Sequence, residues 1–387
     1  MMFSDPKTSL NHRRTSSGSK LISDLQSLKR NRSGSLRSLA IHTNSKFTKT
    51  RTKPRSYQPS PSTNDLKHFL QKKVVQPCVL SRMIMRRSSA EQTKTIKNVI
   101  SRCVYKTRVG MSKGRPKKNN QDSLVIKPSF CDTKGQYLFG VCDGHGNYGH
   151  LISNFIKEKL PIKVAEAYLP SDDLVKAMKL ALKQGIEQTI ASLEQSEIDL
   201  SFSGSTLICV LVVGDTLVCA NIGDSRAILG TLNDLGWQRV SMSRDHKPEL
   251  DKETKRILNS GGRIAKYQDA LGQESGPMRV WLRDQDIPGL AMSRSIGDNI
   301  AKQAGVVDSP EFKWLTLARN DKFIVLASDG LWEVITNEEC VKIVGELYNL
   351  GNTEVCCENL VKKALSRWKR QSEVVDDITV IVLFLNT

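Results

Sequence analysis

Short, wholly apolar runs recur after about residue 100, and such runs are typical of buried β-strands. The clearest of them are 137–142, 323–327 and 378–385. Two further β-rich runs, 205–213 and 216–222, are separated only by Gly214-Asp215, which is a two-residue signal for a β-hairpin. The pattern therefore predicts several buried strands, at least two of which pair in antiparallel orientation.

Amphipathic helical segments lie between these strands. Apolar residues within 174–190 fall on one helical face, and Ser171 precedes them as a candidate N-cap. A second helix is predicted over 147–160. Two more helices are predicted to begin near the C-terminus, at Thr336 and Thr353. Pairs of helices thus separate groups of strands, which indicates an α+β fold with layered, mostly antiparallel sheets and not a parallel doubly wound sheet.

Charge divides the chain into two parts. Residues 1–110 contain 24 of the 58 Lys and Arg but only 4 of the 40 Asp and Glu, so they carry a net charge of +20 and the remainder carries −2. Residues 1–100 are rich in Ser, Thr, Lys, Arg and Asn and show no sustained period. We therefore predict a disordered basic extension over 1–100 and one catalytic domain over 101–387.

The extension suggests several kinds of partner. Basic residues stand just before serines at 13–16, 30–33 and 86–89, and these segments resemble sites for basic-directed kinases. The alternatives are an acidic partner, a membrane surface or nucleic acid, or a solvated linker without a partner. Because aromatic residues are scarce in the extension, base stacking has little to act on, and we expect no specific nucleic-acid partner.

The class of protein is narrowed by what the sequence lacks. No apolar run reaches the roughly 18 residues of a transmembrane helix, and the N-terminus has no signal-peptide core. The 9 cysteines are scattered and contain no CxxC pair, which favours reduced and mostly buried thiols. We expect a monomer in the cytoplasm or the nucleus.

Four carboxylates stand where predicted buried strands begin or end: Asp122, Asp143, Asp329 and Asp376. One such residue alone is more typical of a turn or a helix N-cap. Four of them converging would repel one another, and divalent cations with oxygen ligands, Mg²⁺ or Mn²⁺, would compensate that charge. No histidine has zinc-site spacing, and His145 beside Asp143 is placed to act as a general acid.

A collinear series of motifs carries a family resemblance. The motifs are 120–123, 139–146, 203–206, 220–227, 245–248, 261–264, 289–298, 327–334 and 376–380. Over roughly 104–386 the chain resembles the metal-dependent protein phosphatase family, the type 2C serine/threonine phosphatases. The resemblance implies a central β-sandwich flanked by helix pairs, in α-β-β-α layers. It also implies hydrolysis of phosphoserine and phosphothreonine by a metal-activated water at a binuclear Mg²⁺ or Mn²⁺ centre.

Metal ligands follow from the resemblance position by position. Asp143 is implied to bridge both metals, and the Gly144 backbone carbonyl to bind one of them. Asp329 and Asp376 are implied ligands of the other. Asp224 resembles a ligand of a third, weaker metal site that it shares with Asp329. Small Gly144 would also let its carbonyl approach the metal closely.

Catalytic residues follow in the same way, with two departures from the family pattern. Asp122 resembles the acid next to the metal-bound water, and His145 would protonate the leaving oxygen. Gln121 stands where many members have Glu, so a changed water network is expected. Lys117 or Lys118 stands where the family often has a phosphate-binding Arg, and Lys lacks the bidentate guanidinium.

The segment 265–288 lies between two motifs and by position resembles a substrate-facing flap. The alternative is an ordinary surface loop. Trp281 within it is either an exposed docking residue or a buried anchor.

Three functions are compatible with these observations. They are an active phosphatase, a catalytically silent relative and a metal-dependent nuclease. The complete set Asp143, Asp329 and Asp376 favours the active enzyme over the silent relative. A net charge of −2 outside the extension disfavours a nuclease. The physiological substrate, the role of the extension and the choice between Mg²⁺ and Mn²⁺ stay open.

Overall fold

The computed structural model describes residues 97–387. The extension predicted over 1–100 therefore lies almost wholly outside the described residues. Val99 and Ile100 are already buried in the apolar core, so the packed chain begins slightly before residue 101. No helix within 97–387 has the length and apolar content needed to cross a membrane.

Eighteen strands and seven α-helices make up this part of the chain. The strands are β1 Ile100–Arg108, β2 Met111–Ser112, β3 Arg115–Pro116, β4 Asp122–Lys127, β5 Gln136–His145, β6 Gly204–Ser205, β7 Leu207–Val213, β8 Thr216–Ile222, β9 Arg226–Asn233, β10 Gly236–Ser241, β11 Arg263–Gln268, β12 Glu274–Trp281, β13 Pro288–Leu290, β14 Ile296–Gly297, β15 Glu311–Thr316, β16 Asp321–Ala327, β17 Val374–Val375 and β18 Ile378–Leu385. The helices are α1 Gly149–Ala167, α2 Leu174–Glu194, α3 Asp251–Asn259, α4 Asn299–Lys302, α5 Asp329–Trp332, α6 Asn337–Asn349 and α7 Cys356–Gln371. Short 3₁₀ turns occupy Phe130–Asp132 and Thr353–Val355.

Two large antiparallel sheets form the centre of the fold. The first has the order β1-β18-β16-β9-β10. The second has the order β14-β6-β5-β7-β8-β15, and β4 also pairs with β5. The described residues also form two three-stranded sheets, β11-β12-β13 and β17-β2-β3.

The alternation of side chains along the strands explains the layers. In β5, Leu138 and Cys142 belong to the core that includes α1 and α2. Phe139 and Val141 belong to a second core shared with strands of the other sheet. A third core lies between the first sheet and α5, α6 and α7. These three cores confirm the predicted α-β-β-α sandwich.

The hairpin predicted at Gly214-Asp215 is confirmed. Strands β7 and β8 pair in register across it, and every residue of both strands is buried. Gly214 has φ +60°, the conformation that the first position of a type II′ turn requires.

Helix boundaries differ from the predicted ones in several places: α1 begins at Gly149 and not at 147, and α7 begins at Cys356 and not at Thr353. Asp173, not Ser171, is the N-cap of α2, because the carboxylate next to the first helical residue accepts the Lys176 N–H at 2.9 Å. Helix α1 continues through Pro161, although the sequence predicted its end at 160. Burial of Pro161 and Val164 offsets the helix-breaking tendency of proline.

A glycine substitution tests how closely α1 and α2 approach. A Cβ at Gly185 would lie 2.7 Å from the Val164 backbone. We expect Gly185→Ala to lower the free energy of unfolding by about 1–3 kcal/mol through overpacking, although alanine is the better helix former by about 1 kcal/mol. Urea denaturation would measure the change, with exposed Lys183→Ala as a control. Stabilisation by Gly185→Ala would show that the contact is loose.

Candidate functional site

Four acidic side chains meet at one edge of the sandwich. Asp122 on β4 pairs directly with Asp143 on β5. Asp329 begins α5 immediately after β16, and Asp376 stands between β17 and β18. The Ser328 hydroxyl donates to Asp122 Oδ2 at 2.8 Å and so links the two sheets at this edge. The convergence expected from the sequence is therefore present.

Two glycines allow the acidic loops to approach one another. A Cβ on Gly144 would overlap the carbonyl of Gly149 at the start of α1, and a Cβ on Gly330 would overlap the carbonyl of Asp377. Glycine is therefore required by backbone packing at both positions. For Gly144 this is a second requirement, in addition to the accessibility of its own carbonyl.

Neighbouring aspartates before β18 have different surroundings. Asp377 is buried and accepts the backbone N–H groups of Gly110 at 2.5 Å and Gln121 at 2.9 Å. Asp376 is half-buried and accepts a hydrogen bond from Lys117 Nζ at 2.6 Å. Asp377 thus fixes the loops that carry the site, while Asp376 faces into it.

Burial and mutual repulsion raise the pKa values of the central carboxyls. Burial raises the pKa of Asp122 to about 7, with further contributions from Asp377 and Asp376. The pKa of Asp143 is raised well above its ordinary range by burial and then by Asp122 and Asp329. Burial, followed by Asp224, raises the pKa of Asp329 in the same way. Without bound cations, these central carboxyls therefore hold protons more readily than exposed carboxyls do.

Unpartnered oxygens show that this edge fits a hard divalent cation. The buried Oδ1 atoms of Asp122, Asp224 and Asp329 have no hydrogen-bond partner in the described part of the chain. Their carboxylate oxygens are the donors that Mg²⁺ and Mn²⁺ prefer. Within residues 97–387, no group of three or more His, Cys, Asp or Glu side chains is arranged to hold a metal ion by itself. Mg²⁺ normally keeps several waters and takes only one or two carboxylates, so the donor set fits.

Asp224 is held by a lysine that the sequence did not single out. It lies buried in the turn after β8, and Lys247 Nζ is 2.5 Å from its Oδ2. Burial lowers the pKa of Lys247, but the Asp224 carboxylate more than offsets this effect and raises it. An ammonium group thus occupies one oxygen of the residue that the resemblance assigned to a third metal.

His145 is oriented by a residue that sequence reasoning missed. Its Nε2 lies 2.6 Å from Asp298 Oδ2, and Asp298 is buried. Burial lowers the pKa of His145, but Asp298 outweighs this effect and raises the pKa overall. The sequence signal for Asp298 was its position at the end of the motif 289–298. No local pattern, however, could pair Asp298 with His145, because the two lie 153 positions apart.

The two departures from the family pattern have clear local structures. Gln121 Nε2 donates to the Gly146 carbonyl at 2.7 Å, which a glutamate could not do. Lys117 lies beside Asp376 and is half-buried, whereas Lys118 is exposed. The structure therefore brings Lys117 into the acidic cluster and leaves Lys118 at its rim.

The segment resembling a flap is an antiparallel ribbon, β11 and β12, extended by β13. Trp281 is buried, its Nε1 donates to the Ala265 carbonyl at 2.9 Å, and the Arg263 guanidinium stacks 5.4 Å from its ring. Of the two alternatives for Trp281, the buried anchor is the correct one.

The sandwich and its carboxylate-rich edge define a metal-dependent hydrolase. The family model for Protein phosphatase 2C matches residues 107–372. The chain belongs to the protein phosphatase 2C family, whose members are metal-dependent protein serine/threonine phosphatases, and it is such an enzyme.

Individual relatives agree with this assignment. "Probable protein phosphatase 2C 65" of Arabidopsis thaliana is 35% identical over 298 residues, which cover 72% of this chain and 76% of that protein. A serine-threonine phosphatase 2C from Toxoplasma gondii has a TM-score of 0.64 and 20% identity, with 76% of this chain and 96% of that chain covered. A C. elegans sex determining protein has a TM-score of 0.58 and 19% identity, with coverages of 86% and 76%. At these identities the two solved structures show the fold alone.

The adjacent aspartates offer a matched test of structural and functional roles. Asp377→Ala removes the acceptor of two backbone N–H groups, so we expect the free energy of unfolding to fall by about 1.5–3 kcal/mol. Asp376→Ala removes the ion pair with Lys117 but relieves repulsion from the neighbouring carboxylates. We therefore expect the free energy of unfolding to change by no more than about 1 kcal/mol. Chemical denaturation in the presence of a chelator would compare the two. Equal losses of stability would contradict the division between them.

Proposed function

We propose that this enzyme hydrolyses phosphoserine and phosphothreonine in proteins at the edge of the sandwich, with two Mg²⁺ or Mn²⁺ ions. The observation that carries the proposal is the buried cluster of carboxylates with unpartnered oxygens. Asp143, the Gly144 carbonyl, Asp329 and Asp376 would hold the two ions. When bound, such ions neutralise the phosphate and lower the pKa of water, so that a nucleophile forms near neutral pH.

A third, weaker ion would take the free oxygen of Asp224. Lys247 already bonds to the other oxygen of this carboxylate, so the ammonium and a third cation would compete for the same negative charge. We therefore expect occupancy of this position to be weaker than that of the first two.

The remaining polar residues position the reactants. Lys117 would contact a phosphate oxygen next to Asp376, and exposed Lys118 would add a second positive charge at the rim. The unpartnered Oδ1 of Asp122 would accept a hydrogen bond from the attacking water. Each contribution is electrostatic, and its strength depends on exclusion of water from this edge.

Proton transfer to the leaving group is assigned to His145. In-line attack by water at phosphorus breaks the bond to the serine or threonine oxygen, and His145 gives that oxygen a proton. Asp298 holds the imidazole ring through Nε2. The Nδ1 atom is buried and has no hydrogen-bond partner within the described residues, so it is the ring atom that would donate once the ring turns towards the substrate.

The proposed setting of the enzyme is the reducing interior of the cell. The thiols of Cys142, Cys209 and Cys219 lie buried in the sandwich, where they act as small apolar side chains. Buried free thiols fit a reducing compartment, and our proposal is a monomer in the cytoplasm or the nucleus that acts on phosphorylated proteins.

Metal dependence and one substitution test the central proposal. We expect the full chain to hydrolyse a phosphothreonine peptide and para-nitrophenyl phosphate with Mn²⁺ or Mg²⁺, and not with chelator. Asp143→Asn should lower kcat/KM by at least about 10³-fold and also weaken Mn²⁺ binding measured by calorimetry. A folded wild-type chain that binds Mn²⁺ but hydrolyses neither substrate would instead identify a catalytically silent relative.

The role of His145 predicts a dependence on the leaving group. We expect His145→Gln to lower kcat for the phosphothreonine peptide by about 10²–10⁴-fold. The loss for para-nitrophenyl phosphate should be much smaller, because para-nitrophenolate leaves without protonation. The control is His150→Gln, at the second residue of α1. Equal losses for both substrates would exclude His145 as the proton donor.

A further inference from the structure

A strongly basic surface adjoins the acidic edge. It consists of the β2–β3 hairpin with Lys117 and Lys118 that follow it, β17 and the end of α7, and we name it the basic ledge. Its exposed cationic residues are Lys113, Arg115, Lys118, Lys369 and Arg370. These charges are concentrated in a part of the protein that as a whole carries almost no net charge, since the chain beyond residue 110, with these five cations included, has a net charge of −2.

The ledge contains a concave surface of sufficient size for side chains of a peptide. A cavity of about 640 Å³ opens between the hairpin and the end of α7, and Lys113 and Lys369 stand on its two sides. Met111 and Val375 form its apolar floor, and Glu373 contributes an acidic group. The position is fixed by β-pairing, because β2 pairs with both β3 and β17.

The basic ledge is continuous with the proposed phosphate position. Val375 on β17 directly precedes Asp376, and Lys117 directly follows β3. Lys117 Nζ bonds to Asp376 at 2.6 Å. Lys113 and Gly114 form the turn of the β2–β3 hairpin, and β3 separates this turn from Lys117, so at roughly 3.3 Å per extended residue the turn lies up to about 10 Å from the phosphate contact. This span matches three or four residues of an extended peptide.

The cations of the ledge have no acidic partners of their own. Within residues 97–387, Lys113, Arg115 and Lys369 make no ion pair or side-chain hydrogen bond, whereas many other basic residues of the domain do. Unpaired cations close to one another raise the local positive potential. An incoming carboxylate therefore meets attraction without first having to displace an internal partner.

We propose that the basic ledge binds acidic residues that flank the phosphorylated residue, and that it makes acidic phosphopeptides the preferred substrate class. This inference rests on the proposed phosphatase activity. Charge complementarity identifies the occupant as an acidic segment, whereas residues 1–110 of this chain carry a net charge of +20. Because the contacts are exposed, each contributes modestly, and the preference arises from their sum.

Matched phosphothreonine peptides test the preference with the full chain. The phosphothreonine would be flanked on both sides by Asp, by Asn or by Lys, and kcat and KM would be measured at low and high salt. We expect KM to be about 5- to 20-fold lower for the Asp peptide than for the Asn peptide, with little change in kcat. High salt should remove most of this difference, because it screens exposed charges.

Two sets of substitutions connect the preference to the ledge. Lys113→Gln, Arg115→Gln and Lys369→Gln are combined in one variant. The control variant combines Lys176→Gln, Lys179→Gln and Lys183→Gln on α2, which removes the same charge elsewhere. We expect only the ledge variant to lose the preference for the Asp peptide, while both variants keep wild-type turnover of para-nitrophenyl phosphate.

The outcomes separate this inference from the proposed function. Hydrolysis of all peptides with equal KM would overturn the inference and leave the phosphatase activity intact. A preference that survives in the ledge variant, or disappears equally in the control, would overturn the assignment to this surface. Failure of the folded wild-type chain to hydrolyse any phosphate ester would overturn the proposed function itself, and the inference with it.

Discussion

Mutual repulsion among buried carboxylates is the constraint on which the rest of the site depends. Asp122, Asp143 and Asp329 lie at the edge where two sheets meet, and burial raises the pKa of each. One hydrogen bond from Ser328 to Asp122 and an ion pair between Lys117 and the neighbouring Asp376 compensate only part of this charge. The remaining excess of negative charge gives the edge its affinity for divalent cations, because bound cations remove a repulsion that folding has already imposed.

The fold tolerates this repulsion because other residues hold the acidic loops in place. Gly144 and Gly330 allow backbone contacts that any side chain would block. Asp377 uses its charge for two backbone N–H groups and not for a ligand. Positioning and binding are thus divided between neighbouring residues, which keeps the loops together whether or not a cation is present.

The cations in and around the site also fall into two groups. Within the described residues, Lys117 and Lys247 are committed to carboxylates of the cluster. Lys113 and Lys369, only a few residues away from the site, are free of such contacts. The first set lies within the centre, where Lys117 would also meet the substrate phosphate, and the second set is available to the residues that flank that phosphate. Net charge alone conceals this arrangement, since the two signs nearly cancel outside the extension.

The sequence by itself determined the strands and the types of residue at their ends. Apolar runs such as 323–327 and 378–385 must be buried whatever their partners, so β16 and β18 and their terminal aspartates were predictable. The extension over 1–100 stays a prediction.

Only the tertiary structure decided which distant groups meet. The contact of His145 with Asp298, the bond of Lys247 to Asp224 and the burial of Trp281 join segments that no local period relates. Hydrophobic patterning selects which face of an element is buried, whereas pairing between polar side chains depends on how separate elements pack. That packing is a property of the whole chain.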